Sequence, residues 1–121
     1  MKSHWIEHQG KRIFYADYSS FGDDADALYQ EAEPAIQTLA AEPEKSALVI
    51  ANFEGTNSSI MNSDVFKQLL PKSNPSVKRR AFLGMGGAKK FFLTTLNSLM
   101  SGSRGLAFDS LDQALEWIIK D

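Results

Sequence analysis

Residues Ser46–Phe53, which read SALVIANF, form the stretch of sequence that decides the fold. Within it, Ala47–Ala51 is a continuous apolar run of strand-forming residues. A strand without a polar face is buried on both sides, so we predict a central strand of a sheet with the other elements packed against it. The chain leaves this strand through the polar loop Glu54–Asn62. In open α/β sheets, sites form where central strands end.

Length and composition indicate one globular domain, residues 1–121. The chain is 43% hydrophobic and 23% charged, which are ordinary values for a folded domain. The lack of cysteine excludes disulfides, thiolate metal sites and a cysteine nucleophile. The polar start Met1–Gln9 does not resemble a signal peptide, and no apolar run approaches the roughly 20 residues of a membrane span. We therefore expect a soluble, cytoplasmic protein.

The charge distribution is asymmetric although the net charge is only −2. The span Val65–Phe108 contains lysines and arginines but no acidic residue, whereas most acidic residues lie in Met1–Gly55. Two halves of this kind give a dipolar surface if they fold to different sides of the molecule. An ordinary solvated surface is the simpler alternative.

Before the central strand, the sequence predicts a hairpin and a helix. Aromatic and β-branched residues on both sides of Gly10, in His4–Glu7 and Lys11–Tyr18, are typical of a β-hairpin. We expect Ser20 or Asp23 to cap the helix that follows. We also expect Pro34 to kink or break that helix. Its apolar stripe consists of Leu28, Ala32, Ile36 and Leu39.

After the central strand, helices and strands alternate. Asn62 or Ser63 is expected to cap a second helix, which Pro71 and Pro75 stop. A strand, a third helix and a short last strand follow, at Val77–Gly84, Ala88–Met100 and Leu106–Phe108. Ser110 with Gln113, or alternatively Asp109, caps a final helix, and Asp109–Asp121 is expected to dock on the sheet. Residues expected to be buried are Leu48, Ile50, Phe82 and Leu115.

This order of elements predicts the fold class. Strands that alternate with helices require crossover connections and a mostly parallel sheet. We therefore predict an α/β fold: a mixed, mostly parallel sheet with an N-terminal antiparallel hairpin and flanking helices.

Three segments resemble the SpoIIAA-like, or STAS/SEC14-type, domain family of small bacterial proteins. They are Leu48–Gly55 (LVIANFEG), Val77–Lys90 (VKRRAFLGMGGAKK) and Phe108–Ile118 (FDSLDQALEWI). The resemblance extends over nearly the whole chain. It implies a single STAS/SpoIIAA-like domain with a mixed sheet flanked by helices, and a non-enzymatic regulatory or protein-interaction role.

The resemblance also draws attention to serines after the central strand. In the anti-anti-sigma relatives, a serine in an Asp-Ser-Ser-Gly context just before the following helix is phosphorylated. This sequence lacks that motif. Ser58, Ser59 and Ser63 occupy the same region without matching it residue by residue.

The residues do not assemble a catalytic or metal-binding cluster. His4 and His8 are the only histidines, and the intervening Glu7 alternates to the opposite face of the strand. No Ser-His-Asp arrangement can be built from them. Helix capping explains the paired carboxylates of Asp23 and Asp24. We therefore expect no enzymatic activity, no metal and no cofactor.

The segment Gly84–Lys90, GMGGAKK, is the strongest candidate for a binding site. Glycines between a strand and a helix N-terminus expose backbone N–H groups where the helix dipole favours an anion. Lys89 and Lys90 add positive charge, although the segment is neither a Walker A motif nor a complete G-x-G-x-x-G. A tight turn without ligand remains the alternative. Phe91 and Phe92, apolar and next to the lysines, indicate either core packing or a partner or membrane surface.

Two functions therefore remain open. The first is an interaction or regulatory module whose contact surface, or modification site, is the loop Gly55–Ser63. The second is a binding module for a small anionic or amphipathic ligand, such as a nucleotide or a lipid. Candidate site residues are Thr56, Ser58, Ser59 and Ser63 in the loop, and Gly84, Gly86, Gly87, Lys89, Lys90 and Phe92 beyond the next strand.

Partners follow from the same residues. We expect an unidentified protein partner or a small anionic or apolar ligand, with peripheral membrane contact and a homodimer as further alternatives. Lys89 and Lys90 should lie where the strands end, and Arg79 and Arg80 where they begin. Because nucleic-acid binding needs one continuous basic stripe, this separation argues against a nucleic-acid partner.

Overall fold

The apolar segment after Ser46 forms the middle strand of a five-stranded sheet in the computed structural model. The structure describes residues 1–61, 64–87, 89–90, 93–94, 97 and 105–120, with the backbone alone at positions 61, 64–67 and 70. The strands are β1 (His4–His8), β2 (Lys11–Asp17), β3 (Ala47–Asn52), β4 (Val77–Leu83) and β5 (Gly105–Phe108).

The strands lie in the sheet in their order along the chain. β1 pairs with β2 antiparallel, whereas β2, β3, β4 and β5 pair parallel. Because β3 has neighbours on both sides and helices on both faces, all of Ala47–Ala51 is buried. The predicted mixed sheet with an N-terminal antiparallel hairpin and a buried central strand is confirmed.

Helices cover both faces of the sheet. They are α1 (Ala25–Ala40), α2 (Ser58–Met61), α3 (Asp64–Ser73) and α4 (Leu111–Ile118), with a 3₁₀ turn at Asn74–Ser76. The short helix α2 lies within the segment predicted to be a loop. The predicted caps Asn62 and Ser63 and much of the predicted third helix, including Phe92, lie outside the described residues. Within the predicted third helix, the residues that the structure describes as helical are Lys89, Lys90, Leu93, Thr94 and Asn97.

The hairpin turns through two residues with positive φ. Gln9 has φ of 50° and Gly10 has φ of 80°, and His8 pairs with Lys11 across the turn. Positive φ at both central positions is the geometry of the type I′ turn, whose twist matches the flanking strands. The predicted hairpin is confirmed.

Helix α1 begins and continues differently from the prediction. Asp24 is the N-cap, because its carboxylate accepts a hydrogen bond of 3.1 Å from the N–H of Ala27. The prediction of Ser20 or Asp23 was therefore wrong. The helix also continues through Pro34 to Ala40, so the predicted break does not occur. The buried stripe on both sides of the proline holds the helix against the sheet and outweighs one missing hydrogen bond.

Helix α3 tolerates a proline in the same way. Pro71 lies inside α3, which ends only at Ser73, and Pro75 lies in the 3₁₀ turn that follows. The prediction that Pro71 stops the helix was wrong. Leu69 and Ser73 are buried, so the last turns of α3 are held in the core despite the missing donor.

The core consists of two apolar layers, one on each face of the sheet. Val49 and Phe82 belong to the layer shared with α1, and Ile50 belongs to the layer shared with α4. Adjacent positions alternate between layers, as the pleat of a strand requires. Leu48, Ile50 and Phe82 are buried as predicted.

Helix α4 docks on the second layer, as predicted. The Ser110 hydroxyl accepts from the N–H of Gln113 at 3.3 Å and caps the helix. Ala114 and Ile118, four residues apart, are fully buried against the sheet. Leu115 is only half-buried, so the prediction of its burial was wrong. It lies beside the contact line that Ala114 and Ile118 define, because each residue turns the helix by about 100°.

Candidate functional site

A cavity of about 650 Å³ opens where β4 and β5 end. We call it the strand-end cavity. Because β3, β4 and β5 are parallel, their carboxyl ends meet at one edge of the sheet, which is where ligands bind in open α/β folds. The described residues that line it are Glu54, Gly84, Met85, Gly86, Lys89, Lys90, Leu93, Ala107, Phe108 and Asp109.

Gly84 fixes the shape of this edge. It has φ of 74°, and a Cβ atom there would lie 2.4 Å from the nitrogen of Glu54 and 2.8 Å from the carbonyl carbon of Phe53. These distances are below van der Waals contact, and the left-handed backbone already disfavours a side chain. Only glycine lets the exit of β4 pack directly against the exit of β3. The N–H of Phe53 also donates to the carbonyl of Leu83 at 2.9 Å.

The two lysines of the predicted site have different environments. The Lys89 ammonium is half-buried and donates a hydrogen bond of 2.8 Å to the backbone carbonyl of Phe53. The Lys90 side chain is exposed, and within the described part of the chain it has no hydrogen bond or ion pair. Lys89 therefore joins two elements of the fold, whereas Lys90 is available to a ligand.

The glycine turn offers fewer free N–H groups than we predicted. The N–H of Lys89 is directed to the carbonyl of Gly86 at 3.4 Å, and that of Lys90 to the carbonyl of Gly87 at 3.2 Å. Gly86 and Gly87 are exposed, and their N–H groups have no partner among the residues that the structure describes. Gly86 lines the cavity but Gly87 does not.

Two carboxylates at the cavity were not predicted from the sequence. Glu54 follows β3 and Asp109 follows β5, and both are exposed. Their position directly after strands was the available signal, but neither residue was predicted as part of the site, and Asp109 was weighed as a helix cap. Ser110 takes that role, which leaves the Asp109 carboxylate at the cavity. With Lys89 and Lys90, the described lining carries charges of both signs.

The described candidate residues of the loop Gly55–Ser63, which are Thr56, Ser58 and Ser59, do not line the strand-end cavity. Thr56 is buried, and its hydroxyl donates to the carbonyl of Tyr18 at 2.5 Å and accepts from the N–H of Phe21 at 3.2 Å. Ser58 is half-buried and Ser59 is exposed on α2. Thr56 therefore fixes the loop to the segment after β2. Ser63 and Phe92 lie outside the described residues.

The two arginines of β4 do not form a surface patch. Arg79 donates to the carbonyls of Trp117 and Lys120 at the end of α4. Arg80, which we expected near the entrance edge of the sheet, is buried in the core. Burial lowers the pKa of Arg80 to about 10, although the neighbouring Tyr18 opposes this shift.

The histidines lie on the edge strand β1, as the hairpin predicted. His4 contacts the ring of Tyr15, with a centroid distance of 5.7 Å. Among the described residues, no group of three or more histidine, aspartate or glutamate side chains is arranged to hold a metal ion.

The fold can be compared with known proteins. No protein-family model matches the chain, and no curated protein matches it. Among solved structures, it is similar to the crystal structure of an uncharacterised protein of the DUF3478 family, with a SpoIIAA-like fold, from Shewanella loihica PV-4. The TM-score is 0.67 over 96% of this chain and 91% of the other, with 14% sequence identity.

The chain has a SpoIIAA-like fold. The fold that the three sequence segments predicted by resemblance is thus confirmed. A structural similarity at 14% identity establishes the fold alone. In the described part of this SpoIIAA-like domain, no helix combines the length and apolar character that crossing a membrane requires.

Proposed function

We propose that this SpoIIAA-like domain is a non-enzymatic binding module for a small amphipathic molecule with one negative charge. The observation that carries the proposal is the strand-end cavity, in which an apolar lining adjoins the available ammonium group of Lys90. Its volume of about 650 Å³ lies within the usual range for small-molecule sites.

The lining suggests how such a ligand is oriented. Met85, Leu93 and Phe108 provide apolar surface for its hydrocarbon part. The anionic group lies near Lys90 and the exposed N–H of Gly86, where opposite charge and free donors favour it. We propose no catalytic role for the module, because ligand binding alone accounts for each of these residues.

The two carboxylates narrow the class of ligand. Glu54 and Asp109 repel a second negative charge close to the anionic group. A monoanion with an apolar body, such as a fatty acid, therefore suits the cavity better than a nucleotide with several phosphate charges.

Native mass spectrometry of the purified full-length protein tests the proposal, with decanoate as probe and decylammonium and ATP as comparisons. We expect decanoate to bind best. Lys90→Gln should weaken decanoate binding about tenfold, since a charge-assisted hydrogen bond contributes about 1.5 kcal/mol or more. Lys72→Gln, an exposed lysine of α3 away from the cavity, is the matched control. Absence of decanoate binding, or equal weakening by both variants, would contradict the proposal.

A tryptophan gives an independent signal for the same experiment. The ring of Trp117 lies 5.3 Å from that of Phe108, which lines the cavity. Occupation of the cavity should therefore change the fluorescence of Trp117. A Trp5→Phe background removes the other tryptophan, which lies on the edge strand β1.

The alternative function is regulation through protein contact at α2. The supporting observation is that Ser59 is exposed on a segment whose start is held in place. The hydroxyl of Thr56 is hydrogen-bonded to the segment after β2, and the N–H of Asn57 donates to the carbonyl of Gly22 at 2.9 Å. Phosphopeptide mass spectrometry of the protein from its source cells tests this function. Modification at Ser58 or Ser59 supports it, and unmodified serines argue against it.

A further inference from the structure

Arg80 is a charged side chain in the core, with only 2% of its surface exposed. Its guanidinium donates to Asn74 Oδ1 and to Ser73 Oγ, each at 2.8 Å. Both acceptors are neutral. Within the described part of the chain, no carboxylate lies within 4.0 Å of this guanidinium. A buried cation without a counter-ion is costly, because its hydration is lost without an equivalent attraction.

Two features of the fold offset only part of this charge. Ser73 is the last residue of α3, and a helix C-terminus carries about half a negative charge. The carboxylate of Glu31 acts electrostatically on Tyr18, which is close to Arg80, but its oxygens are hydrogen-bonded to backbone groups. It accepts from the backbone N–H groups of Lys2 and Ser3, each at 2.8 Å.

A cavity of about 20 Å³ adjoins the buried guanidinium. We call it the Arg80 cavity. A single water needs about 10–15 Å³ of such space, so the cavity can hold one water molecule or one monatomic ion but not a polyatomic anion. The two hydrogen bonds of Arg80 use two of its five N–H donors. Of the other described lining residues, Tyr18 carries a hydroxyl group, and the rest are apolar: Ala16, Ile36, Leu39, Val49, Ala51, Phe53 and Phe82.

We propose that the Arg80 cavity binds one monatomic anion of the chloride class. The guanidinium supplies the charge and the remaining donors. The small apolar chamber excludes sulfate, phosphate and carboxylates by size. Bound in this way, the anion completes the neutralisation of Arg80 and stabilises its contacts with Ser73, the last residue of α3, and with Asn74.

Urea unfolding of the full-length protein tests the proposal. The titration replaces sodium gluconate by sodium chloride at constant ionic strength. Because a ligand that binds only the folded state shifts the equilibrium by mass action, chloride at ten times its Kd should raise the folding equilibrium constant about tenfold. The rise should saturate, and phosphate should not reproduce it.

Two variants make the test specific. Arg80→Met should abolish the chloride dependence, whereas Arg79→Met, a change on the same strand outside this cavity, should retain it. Since Arg80→Met can fail to fold, Ser73→Thr is the second variant, in which an added methyl group fills the cavity and the hydroxyl acceptor remains. It should also abolish the chloride dependence.

Chlorine-35 NMR provides a direct measurement. Excess line broadening should be present with the unmodified protein and lost in Ser73→Thr. Equal unfolding midpoints in chloride and gluconate would overturn the proposal by showing that only water fills the cavity. The result does not depend on the strand-end cavity, so it leaves the proposed function to its own test.

Discussion

The Lys89 ammonium donates a hydrogen bond of 2.8 Å to the backbone carbonyl of Phe53, which links the segment after β4 to the end of β3. Both groups lie at the edge of the sheet that contains the strand-end cavity. The bond is half-buried, so water competes with it less than at an open surface. It is a direct connection between the wall of the cavity and the central strand.

Removing this bond should loosen the wall of the cavity. We expect Lys89→Met to reduce the free energy of unfolding by about 1 kcal/mol and to accelerate amide exchange at Leu93 and Thr94. Lys90→Met is the control, because Lys90 has no such bond among the described residues. Equal exchange rates in the two variants would show that the Lys89 bond does not hold this segment.

Gly84 should not tolerate a side chain. Gly84→Ala places a methyl group 2.4 Å from the nitrogen of Glu54 in a left-handed backbone conformation, so we expect a loss of about 2 kcal/mol or more. Gly86→Ala, two residues along, is the matched control, because a Cβ atom there would have no heavy atom within 4 Å, and it should cost less than about 1 kcal/mol. Urea unfolding of both variants measures the difference, and similar losses would contradict the close packing of the two strand ends.

Ile50 tests the central position of β3. Its side chain is fully buried, so Ile50→Ala should cost about 2–5 kcal/mol through lost transfer free energy and a residual cavity. Leu106→Ala, at a side chain that is 46% exposed on β5, should cost less than about 0.5 kcal/mol. A loss of that smaller size at Ile50 would mean that β3 is not the core strand.

Asp17 should contribute to stability in a pH-dependent way. Burial alone would raise the pKa of Asp17, but hydrogen bonds from Ser19 and the charge of Lys2 outweigh it and lower the pKa below 3.8. A lowered folded-state pKa gives stability that is present above 3.8 and is lost as the pH falls through the folded value. Asp17→Asn should therefore destabilise the protein at neutral pH and lose less stability on acidification than the unmodified protein.

Glu44→Gln, an exposed carboxyl change, controls for the general effect of charge in this comparison. Urea unfolding between pH 2 and pH 7 measures all three proteins. An unchanged acid dependence in Asp17→Asn would show that the contacts of Asp17 do not contribute.

The fold could be predicted where a pattern is unambiguous. The apolar run Ala47–Ala51 and the cap of α4 at Ser110 depend only on neighbouring residues, so local chemistry suffices to identify them. Pro34 was expected to kink or break α1 and Pro71 to stop α3, because the sequence shows the missing hydrogen bond but not the burial that outweighs it.

The site was predictable only in part. Gly84 and Lys90 stand out in the sequence, whereas Glu54 and Asp109 join them only because parallel strands bring their ends together. The burial of Arg80 was hidden by the neighbouring basic residues of β4. Strand alternation contained the signal, since Arg80 and Phe82 point to the same face.

The most direct test of the account is a titration of the ¹⁵N-labelled full-length protein with decanoate, followed by amide chemical shifts. We expect saturable shifts at Gly84, Gly86 and Phe108, with Ser58 and Ser59 unaffected. No saturable shifts, or shifts confined to Ser58 and Ser59, would contradict the assignment of the strand-end cavity as the binding site.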